Sequence, residues 1–565
     1  MLGHRLRIPP GTASAFGPPR TTPPGRLVVT GATVHTMTRA ADGAANEATP
    51  VADAFAADGG RFVAVGRTSD VTAGREHWPT LHLDGATVVP GLIDAHGHLL
   101  GLGLSRLQAD LAGAASPAEV VARLRAHADA HPDGWLLGRG WDHTRWPGGA
   151  FPTRHDLDTA FPDRPVWLSR VDGHADWGNA AALRAAGFDP DTPAPLDPEG
   201  GQIVRDADGR MTGVFVDAAA EPVHAAVPPT SAADTARALT LALDEASRHG
   251  LTGLHEAGVP MDALDLYAAA IDAGRFPLRL TGMIGPDELD AFADAHPGGL
   301  VHPSGRLRAN TLKLFADGAL GSRGAALLAD YADAPGERGL LLYDPADLRE
   351  IVTRAMRRGL QVATHAIGDA AARAVLDAYE AAIGATGGGP GRHRLEHAQV
   401  IADADVARLV RLGVIASVQP THATSDWRWA PDRLGDRWPT AYRLAGLARA
   451  GARLALGSDV PVEPLCPLRG LRAAVTRRDD DGLPDGSERA DEALSPRDAL
   501  AGFTTGAAFA GFAEHEVGRI AVGLRADAAV LTADPLAGGL ADARVAATLL
   551  DGEVVWSDGN VPTPG

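Results

Sequence analysis

The sequence predicts an α/β protein: a (β/α)8 barrel of the TIM type with a rim insertion, plus a small β-sandwich domain built from both chain ends. Apolar, strand-like runs alternate with alanine-rich helical stretches from residue 86 onward, as in repeated βα units. Eight such runs are the number that closes a barrel. Both chain ends, in contrast, are rich in short strands. The candidate barrel strands are residues 88–96, 251–256, 278–284, 310–316, 360–365, 393–397, 413–419 and 453–459.

Short alternating runs with β-branched residues mark both ends of the chain. They cover residues 27–36, 61–66, 528–532, 545–550 and 554–556, with Asp551-Gly552 as a tight turn. We therefore expect residues 26–87 and 515–565 to form one small β-sandwich domain. Residues 1–25 are rich in Pro, Gly and Thr and are predicted to be a disordered tail.

The barrel itself is expected over residues 88–514, but its βα spacing is uneven. About 150 residues separate the first two candidate strands, far more than one connecting helix requires. We therefore expect residues from about 104 to 240 to form an insertion on the rim of the barrel.

The composition excludes several classes of function. The net charge of −19 argues against nucleic acid as a partner. No uncharged apolar run of about 18 residues occurs, so no membrane span is expected. The single cysteine, Cys466, rules out an intramolecular disulfide and fits a reducing cytoplasm. These features favour a cytoplasmic protein that acts on a small molecule.

Lys313 is the only lysine of the chain. The sequence has 52 lysine and arginine residues in total, so the other 51 are arginine. A buried lysine can lose its proton and react, for example with carbon dioxide, whereas arginine stays protonated. Carboxylation would turn the amine into an anionic metal ligand with two oxygens. A preference for arginine codons explains one remaining lysine equally well. The lysine therefore supports a metal site only together with other ligand-type residues nearby.

Residues of metal-ligand type recur where the candidate strands end, which is where the loops of a βα barrel build the active site. His96 and His98 lie two residues apart on an extended strand and therefore share a face. A single histidine or aspartate at a strand end is commonly a core or turn residue. Ligand-type residues at the ends of five of the eight strands, taken together, predict a metal site. Imidazoles and carboxylates suit Zn²⁺, Mn²⁺ or Fe²⁺ better than Ca²⁺. The other strand ends supply Lys313, His365, His397 and Asp459.

Several motifs of the chain resemble those of one protein family. They are Pro90-Gly-Leu-Ile-Asp-Ala-His-Gly-His98, Gly138-Arg-Gly-Trp-Asp142, Val171-Asp-Gly-His174, Lys313-Leu-Phe-Ala-Asp-Gly-Ala-Leu-Gly-Ser-Arg323, His365-Ala-Ile-Gly-Asp369 and Gly457-Ser-Asp-Val-Pro-Val-Glu463. Together with the order of the ligand types, they resemble the amidohydrolase superfamily, and in detail its YtcJ-like branch, which includes N-substituted formamide deformylases. The resemblance runs from about residue 27 to the end and is specific for the family but not for a substrate.

The resemblance implies a role for each predicted ligand. His96, His98 and Asp459 would hold one divalent ion, and carboxylated Lys313 would bridge it to a second ion on His365 and His397. Zn²⁺ is expected, with Mn²⁺ or Fe²⁺ as alternatives. A metal-bound hydroxide would be the nucleophile, and Asp459 would pass its proton to the leaving nitrogen. Without carboxylation, a mononuclear site on His96, His98 and Asp459 is the alternative.

Five further residues are candidates for substrate binding, each with a structural alternative. Asp172 and His174 lie in the insertion and could reach over the barrel mouth, although a surface turn explains them equally well. Trp141 could wall an apolar pocket or pack in a core. Asp317 and Arg323 follow the lysine strand, where Arg323 could clamp a carboxylate or form a plain salt bridge.

The predicted activity is metal-dependent hydrolysis of a C–N bond in an amide, N-acyl or N-formyl compound. Deamination of an amino-heterocycle is an alternative, although Gly368 stands where such deaminases usually carry a glutamate. Hydrolysis of an ester or lactone is also open, because the same nucleophile attacks those carbonyls. A metal-free, non-enzymatic protein would have lost ligands, and all six positions are filled. The superfamily resemblance also suggests a homodimer.

Overall fold

The computed structural model describes residues 8–16, 25–38, 51–387, 389–485 and 489–561. Its centre is a barrel of eight strands in which each strand pairs in parallel with its neighbours. An isolated parallel bridge between Gly97 and Val460 joins the first strand to the segment after the eighth. The predicted barrel is therefore confirmed. Its strands are Leu92–Gly97, Leu251–Val259, Arg279–Ile284, Leu307–Phe315, Gln361–Ala366, Arg394–His397, Ile415–Val418 and Leu454–Leu456.

Helices connect the barrel strands and cover their outer face. Their starts follow local rules: Ser231 accepts a hydrogen bond from the Asp234 amide, and Asp344 accepts one from the Ala346 amide. Their apolar faces join the strands in one large core. The helices are Leu99–Ser105, Ala232–Arg248, Met261–Asp272, Leu289–Ala295, Pro345–Arg357, Asp369–Thr386, Asp403–Arg411, Pro420–Asp426, Ala430–Leu434, Leu444–Arg449, Pro467–Thr476, Pro496–Ala501 and Ala507–Ala510, with a π-helical turn at Gly502–Gly506.

Strands from both chain ends form one eight-stranded sheet beside the barrel. The predicted strand 88–96 is divided between the two sheets at Gly91, because Thr87–Pro90 pairs with Ala528–Leu531. A Cβ at Gly91 would lie 2.1 Å from Thr252 Oγ1, so the chain can pass there only as glycine. The strands of this sheet are Leu27–His35, Val51–Asp58, Arg61–Gly66, Thr80–His82, Thr87–Pro90, Ala528–Leu531, Val545–Leu550 and Glu553–Ser557, with the short helix Thr68–Thr72 against it.

The rim insertion folds around a third sheet with its own core. Its strands are Ala109–Asp110, Leu136–Trp141, Val166–Arg170, Ala175–Gly178, Gly201–Arg205 and Met211–Asp217, and its helices are Pro117–Ala130, Arg154–Asp158, Ala180–Ala185 and Glu221–Ala226. This sheet stands over the end of the barrel at which the predicted ligands lie. It therefore decides how the site is enclosed.

Part of the predicted N-terminal tail lies within the described residues and differs from the expectation of disorder. Thr12–Phe16 forms a 3₁₀ helix, and Ile8 and Phe16 pack against the barrel core. Burial of these two apolar side chains gives residues 8–16 a reason to be ordered. Residues 1–7 and 17–24 lie outside the described part of the chain. Among the described helices, none is long and apolar enough to cross a membrane.

Candidate metal centre and substrate cavity

A cavity of about 640 Å³ opens at the carboxyl ends of the barrel strands. Its floor contains the predicted ligands, and its walls come from the rim insertion and from the segment that follows the seventh strand. The floor residues are His96, His98, Lys313, His365, His397 and Asp459. All six are more than nine-tenths buried. The barrel thus brings together every ligand type that the sequence placed at a strand end.

The ends of the first and eighth strands are fastened to each other, which fixes three of the predicted ligands. The Asp94 carboxylate accepts hydrogen bonds from the Ser458 amide and hydroxyl, at 2.9 and 2.5 Å. The Asp459 amide donates to the His96 carbonyl at 2.7 Å. A Cβ at Gly457 would lie 2.5 Å from the His96 nitrogen, so this close approach requires glycine.

His96, His98 and Asp459 form a compact group of donor atoms. The Asp459 Oδ1 lies 3.5 Å from His96 Nε2 and 3.3 Å from His98 Nε2. Burial first, and then the charge of Lys313, lower the pKa of His96 to about 4. Burial also lowers the pKa of His98, so both histidines are neutral at neutral pH, which is the form that binds a metal. The group has the donor types and spacing of a site for a divalent transition-metal ion.

Glu396 orients the His96 ring from behind. Its Oε2 accepts the Nδ1 proton of His96 at 2.5 Å, which leaves Nε2 free to face Asp459. Burial acts to raise the pKa of Glu396, but the Arg394 guanidinium, 2.6 Å away, and His96 outweigh it and hold that pKa below its ordinary value. A carboxylate behind a ligating histidine is the arrangement found around many metal sites.

Lys313 is fully buried, and its Nζ has no hydrogen-bond partner among the described residues. The nitrogen lies 4.2 Å from the centre of the Phe315 ring. Burial is the main cause that lowers the pKa of Lys313 to about 8. An amine without a partner and with a lowered pKa is suited to reaction with carbon dioxide, so the residue fits the predicted carboxylation chemically.

His365 and His397 lie side by side, with ring centres 4.4 Å apart. His397 Nδ1 lies 2.9 Å from the Gln419 Oε1, and its backbone has φ +69°. Asp459 also has a positive φ, of +62°. Non-glycine residues in this region are uncommon and concentrate at functional sites.

The rim contributes Asp172 and His174 to the cavity wall. Asp172 forms an ion pair with Arg170, whose other nitrogen lies 2.6 Å from Asp142 Oδ1. Burial acts to raise the pKa of Asp172, but the Arg170 charge outweighs it and lowers that pKa. His174 Nδ1 lies 2.7 Å from Asp217 Oδ1, and its ring centre lies 6.4 Å from that of His365.

Three predicted substrate-binding residues, Trp141, Arg323 and Asp317, lie away from the cavity surface. The first two have the following contacts. Trp141 is fully buried among the aromatic rings of the rim, where its Nε1 donates to the Leu168 carbonyl at 2.8 Å. Arg323 forms an ion pair with Asp333 at 2.9 Å on an exposed loop. For both, the structural alternative of packing or a salt bridge describes the observed position.

Asp317 has a structural task that the sequence alone does not reveal. Its carboxylate accepts hydrogen bonds from the amides of Ala326, Ile367 and Gly368 at 2.8–3.0 Å. It therefore ties the loop after the fourth strand to the loop after the fifth. Asp317 Oδ1 also lies 3.4 Å from His365 Nε2, so this residue positions a predicted ligand instead of touching the cavity.

Sequence reasoning missed several residues of the site. Glu396 directly precedes His397, and Arg170 directly precedes the motif Val171-Asp-Gly-His174. His422 lies on the helix after the seventh strand, where the same strand-end criterion would have found it. Asp217 lies 43 residues from its partner His174, and no local pattern links the two.

Comparison with known proteins matches the chain to one family. The sequence profile of the amidohydrolase family matches residues 80–556. YtcJ of Bacillus subtilis (strain 168), which is named as an amidohydrolase, is 36% identical over 84% of this chain and 90% of its own length. An N-substituted formamide deformylase from Arthrobacter pascens is 30% identical over 89% of this chain and 94% of its own.

The fold is also similar to solved structures. A metal-dependent hydrolase of uncharacterized activity from Pyrococcus horikoshii OT3 superimposes with a TM-score of 0.73 at 28% sequence identity. The match covers 91% of this chain and 98% of that one.

Proposed function

The chain belongs to the amidohydrolase family, and on that premise we propose that it is a metal-dependent hydrolase of a C–N bond in a small amide, N-acyl or N-formyl compound. The observation that carries the proposal is the convergence of His96, His98 and Asp459 beside the buried, unpartnered amine of Lys313 on the cavity floor. The similarity to a protein named N-substituted formamide deformylase supports the N-acyl class.

His96, His98 and Asp459 would hold one divalent ion, for which Zn²⁺ is the proposed identity. Carboxylated Lys313, with His365 and His397, would hold a second. Such an ion supplies Lewis acidity, which polarises a carbonyl and lowers the pKa of a bound water toward about 7. The neutral histidines and the orphaned Lys313 Nζ fit this purpose, because each can offer a nitrogen, or after carboxylation an oxygen, to the ion.

Asp459 is the proposed acid–base residue. Burial acts to raise its pKa, but His98 and His96 outweigh it and hold the pKa of Asp459 well below its ordinary value. The carboxylate is therefore ionised at neutral pH and able to accept a proton on the cavity side. It would then deliver that proton to the leaving nitrogen. The nitrogen would leave as a neutral amine instead of an amide anion, which is a poor leaving group.

The rim residues are proposed to bind the substrate. His174, held by Asp217, lies across from His365, so a group on the cavity floor is within its reach. The Asp142–Arg170–Asp172 ion pairs fix the wall beside it. A rigid wall orients the scissile bond, and orientation is a large part of catalysis in such sites.

The geometry opposes the deaminase alternative at one position. A Cβ added at Gly368 would lie 1.9 Å from the Ala326 carbonyl oxygen, so no glutamate side chain can occupy that place. The neighbouring Asp369 is buried and accepts a hydrogen bond from the Leu328 amide at 2.8 Å. Neither residue lines the cavity.

The test is a matched substrate panel with protein purified without chelator and assayed for metal by elemental analysis. The panel contains N-alkyl formamides, the corresponding N-acetyl amines, isosteric esters and amino-heterocycles. We expect release of the amine from formamides or N-acyl amines, and no activity in Asp459→Asn prepared in parallel. Ammonia released from the heterocycles alone would overturn the proposal in favour of a deaminase, and cleavage of the esters alone in favour of an esterase.

A further inference from the structure

We propose that His422 is a metal ligand and that Asp459 bridges two ions through its two separate oxygens. One ion would bind His96, His98 and Asp459 Oδ1, and the other would bind His397, His422 and Asp459 Oδ2. This inference deepens the proposed function, because it rests on the cavity floor holding divalent metal. It differs from the expected arrangement, in which Lys313 alone bridges the two ions and the seventh strand supplies no ligand.

The two oxygens of Asp459 face different histidines. Oδ1 lies 3.3 and 3.5 Å from the Nε2 atoms of His98 and His96, whereas Oδ2 lies 3.7 Å from His422 Nε2. In the second group, one ligand atom from each of His397, His422 and Asp459 lies within 4.8 Å of the other two. The carboxylate thus stands between two sets of three donors and belongs to both.

These distances can be compared with those of a real coordination shell. Zn²⁺ binds nitrogen and oxygen at about 2.0–2.1 Å, so the ligands of a tetrahedral ion lie about 3.3–3.4 Å apart. The separations of 3.3 and 3.5 Å in the first group match that edge length, and the 3.7 Å between His422 and Asp459 in the second exceeds it by a few tenths of an ångström. The two separations that involve His397 are within 4.8 Å, so its side chain would move by at most about 1.5 Å to share an ion with the other two.

His422 has the surroundings of a ligand and not those of a packing residue. Its Nε2 is buried and has no hydrogen-bond partner among the described residues. Buried polar atoms are rarely left without one, and a bound ion or water molecule supplies the partner where the protein does not. The His422 ring is parallel to that of His397, with centres 5.8 Å apart and planes 10° apart. Its side chain retains only 12% of its accessible surface, on the cavity side.

The neighbouring acid does not provide the missing partner. Asp426, one turn further along the helix, accepts a hydrogen bond from the Tyr442 hydroxyl at 2.6 Å. The Gln419 side chain, one turn earlier, is engaged with His397 Nδ1 at 2.9 Å, so it is not the partner of His422. Among the described residues, the carboxylate within 4.0 Å of His422 Nε2 is thus that of Asp459.

The consequence is a second site that does not need a modified lysine. Removal of the Lys313 amine should therefore leave two ions bound, whereas a bridge made by Lys313 alone would lose one. Lys313→Met keeps a long unbranched side chain in the buried position and cannot be carboxylated. This variant separates the two arrangements.

The decisive experiment counts bound Zn²⁺ by equilibrium dialysis and elemental analysis in bicarbonate-free buffer. It compares Lys313→Met with Lys313→Met/His422→Gln. We expect close to two ions in the first and one in the second. Equal counts in the two variants would overturn the inference, whatever the number. Ser425→Ala in the same Lys313→Met background is the control, because Ser425 lies on the same helix but donates to Glu463.

The ion that remains in the double variant also reports that the protein is folded. Should that variant lose both ions, His422→Gln in the otherwise unchanged chain decides. We then expect the dissociation constant of the more weakly bound Zn²⁺ to rise at least about tenfold, and an unchanged constant would overturn the inference. Protein that binds two ions through His422 but cleaves no amide would keep this inference and lose the proposed function.

Discussion

The barrel floor and the rim wall face each other across one cavity, but their polar groups are satisfied in different ways. On the floor, Lys313 Nζ and His98 Nδ1 have no hydrogen-bond partner among the described residues, and the same is true of His422 Nε2 on the adjoining helix after the seventh strand. On the wall, Arg170 is held by two carboxylates and His174 by Asp217. These two wall side chains have partners within the protein, whereas the floor atoms would gain partners from a bound ion or ligand.

This difference has an energetic meaning. Buried polar atoms without partners cost about 1–3 kcal/mol each, so the floor destabilises the metal-free fold. A ligand that satisfies them binds to the folded state alone and returns that stability. Arg170 and His174 of the rim wall have no such deficit, because each is paired with a carboxylate. Changes on the floor should therefore alter metal binding and stability together, and changes on the wall should alter kinetics alone.

The largest effect is expected for Asp459→Asn on the floor. The amide cannot accept the proton and is a poorer metal ligand than the carboxylate. We expect kcat/KM to fall by about 10³-fold or more, and bound metal to fall with it. Steady-state kinetics and elemental analysis on the same sample measure both. Asp129→Asn, on an exposed helix of the rim, is the matched control. Full metal content together with full activity would contradict the acid–base role.

The next effect is on stability, through the buried amine of Lys313. Its folded-state pKa of about 8 lies below the ordinary 10.5, so burial of the charge carries its full cost below pH 8. Between about pH 8 and 10.5 the folded state has released the proton and the unfolded state has not, so the free energy of unfolding rises with pH. Lys313→Met should remove this dependence.

At pH 7 we expect metal-free Lys313→Met to be more stable than the unchanged protein by on the order of 3 kcal/mol. Urea unfolding of both proteins, without metal and bicarbonate, gives this difference at each pH. The difference should shrink as the pH rises from about 8 toward 10.5. A constant difference over that range would show that the titration of Lys313 is not its source.

A kinetic effect without loss of metal is expected on the wall. His174→Asn should lower kcat/KM by about 10- to 100-fold, because the substrate loses one orienting contact, while the metal content stays the same. Asp217→Asn leaves the imidazole in place but replaces the charged acceptor of Nδ1 by a neutral amide, so it should have a smaller effect in the same direction. Loss of metal in either variant would show that wall and floor are not separable.

The smallest kinetic effect is expected for Trp141→Phe. Trp141 lies inside the rim core, so the change should cost about 1–3 kcal/mol of stability and leave kcat and KM within about twofold. Thermal unfolding and steady-state kinetics test the two parts separately. A large rise in KM at unchanged stability would instead show that Trp141 contributes to substrate binding.

The barrel and the positions of its floor residues could be read from the sequence. Strand patterns repeat with a βα period, and parallel strands in a closed barrel bring their carboxyl ends to one place. A histidine or aspartate at a strand end is therefore close to the others, however far apart they lie in the chain. His96 and Asp459 are an example, since 363 residues separate neighbours that are 3.5 Å apart.

The rim was predicted less well because its positions depend on packing that has no period. Trp141 and Asp172 belong to the same insertion, yet one is buried in its core and the other lines the cavity. Asp317 lies close in sequence to Lys313 but serves as an acceptor for three loop amides. A motif identifies such residues as important without telling which side of a loop they occupy.

The sequence alone determined the order of the barrel strands, the chemistry available at their ends and the family to which the chain belongs. These follow from hydrophobic periodicity and from local motifs, which are properties of neighbouring residues. Only the tertiary structure decided that Glu396 supports His96, that Asp217 holds His174, and that His422 joins His397 at Asp459. Each of these contacts joins residues from separate strands or loops, and their distances are set by the closure of the barrel and the packing of the rim upon it.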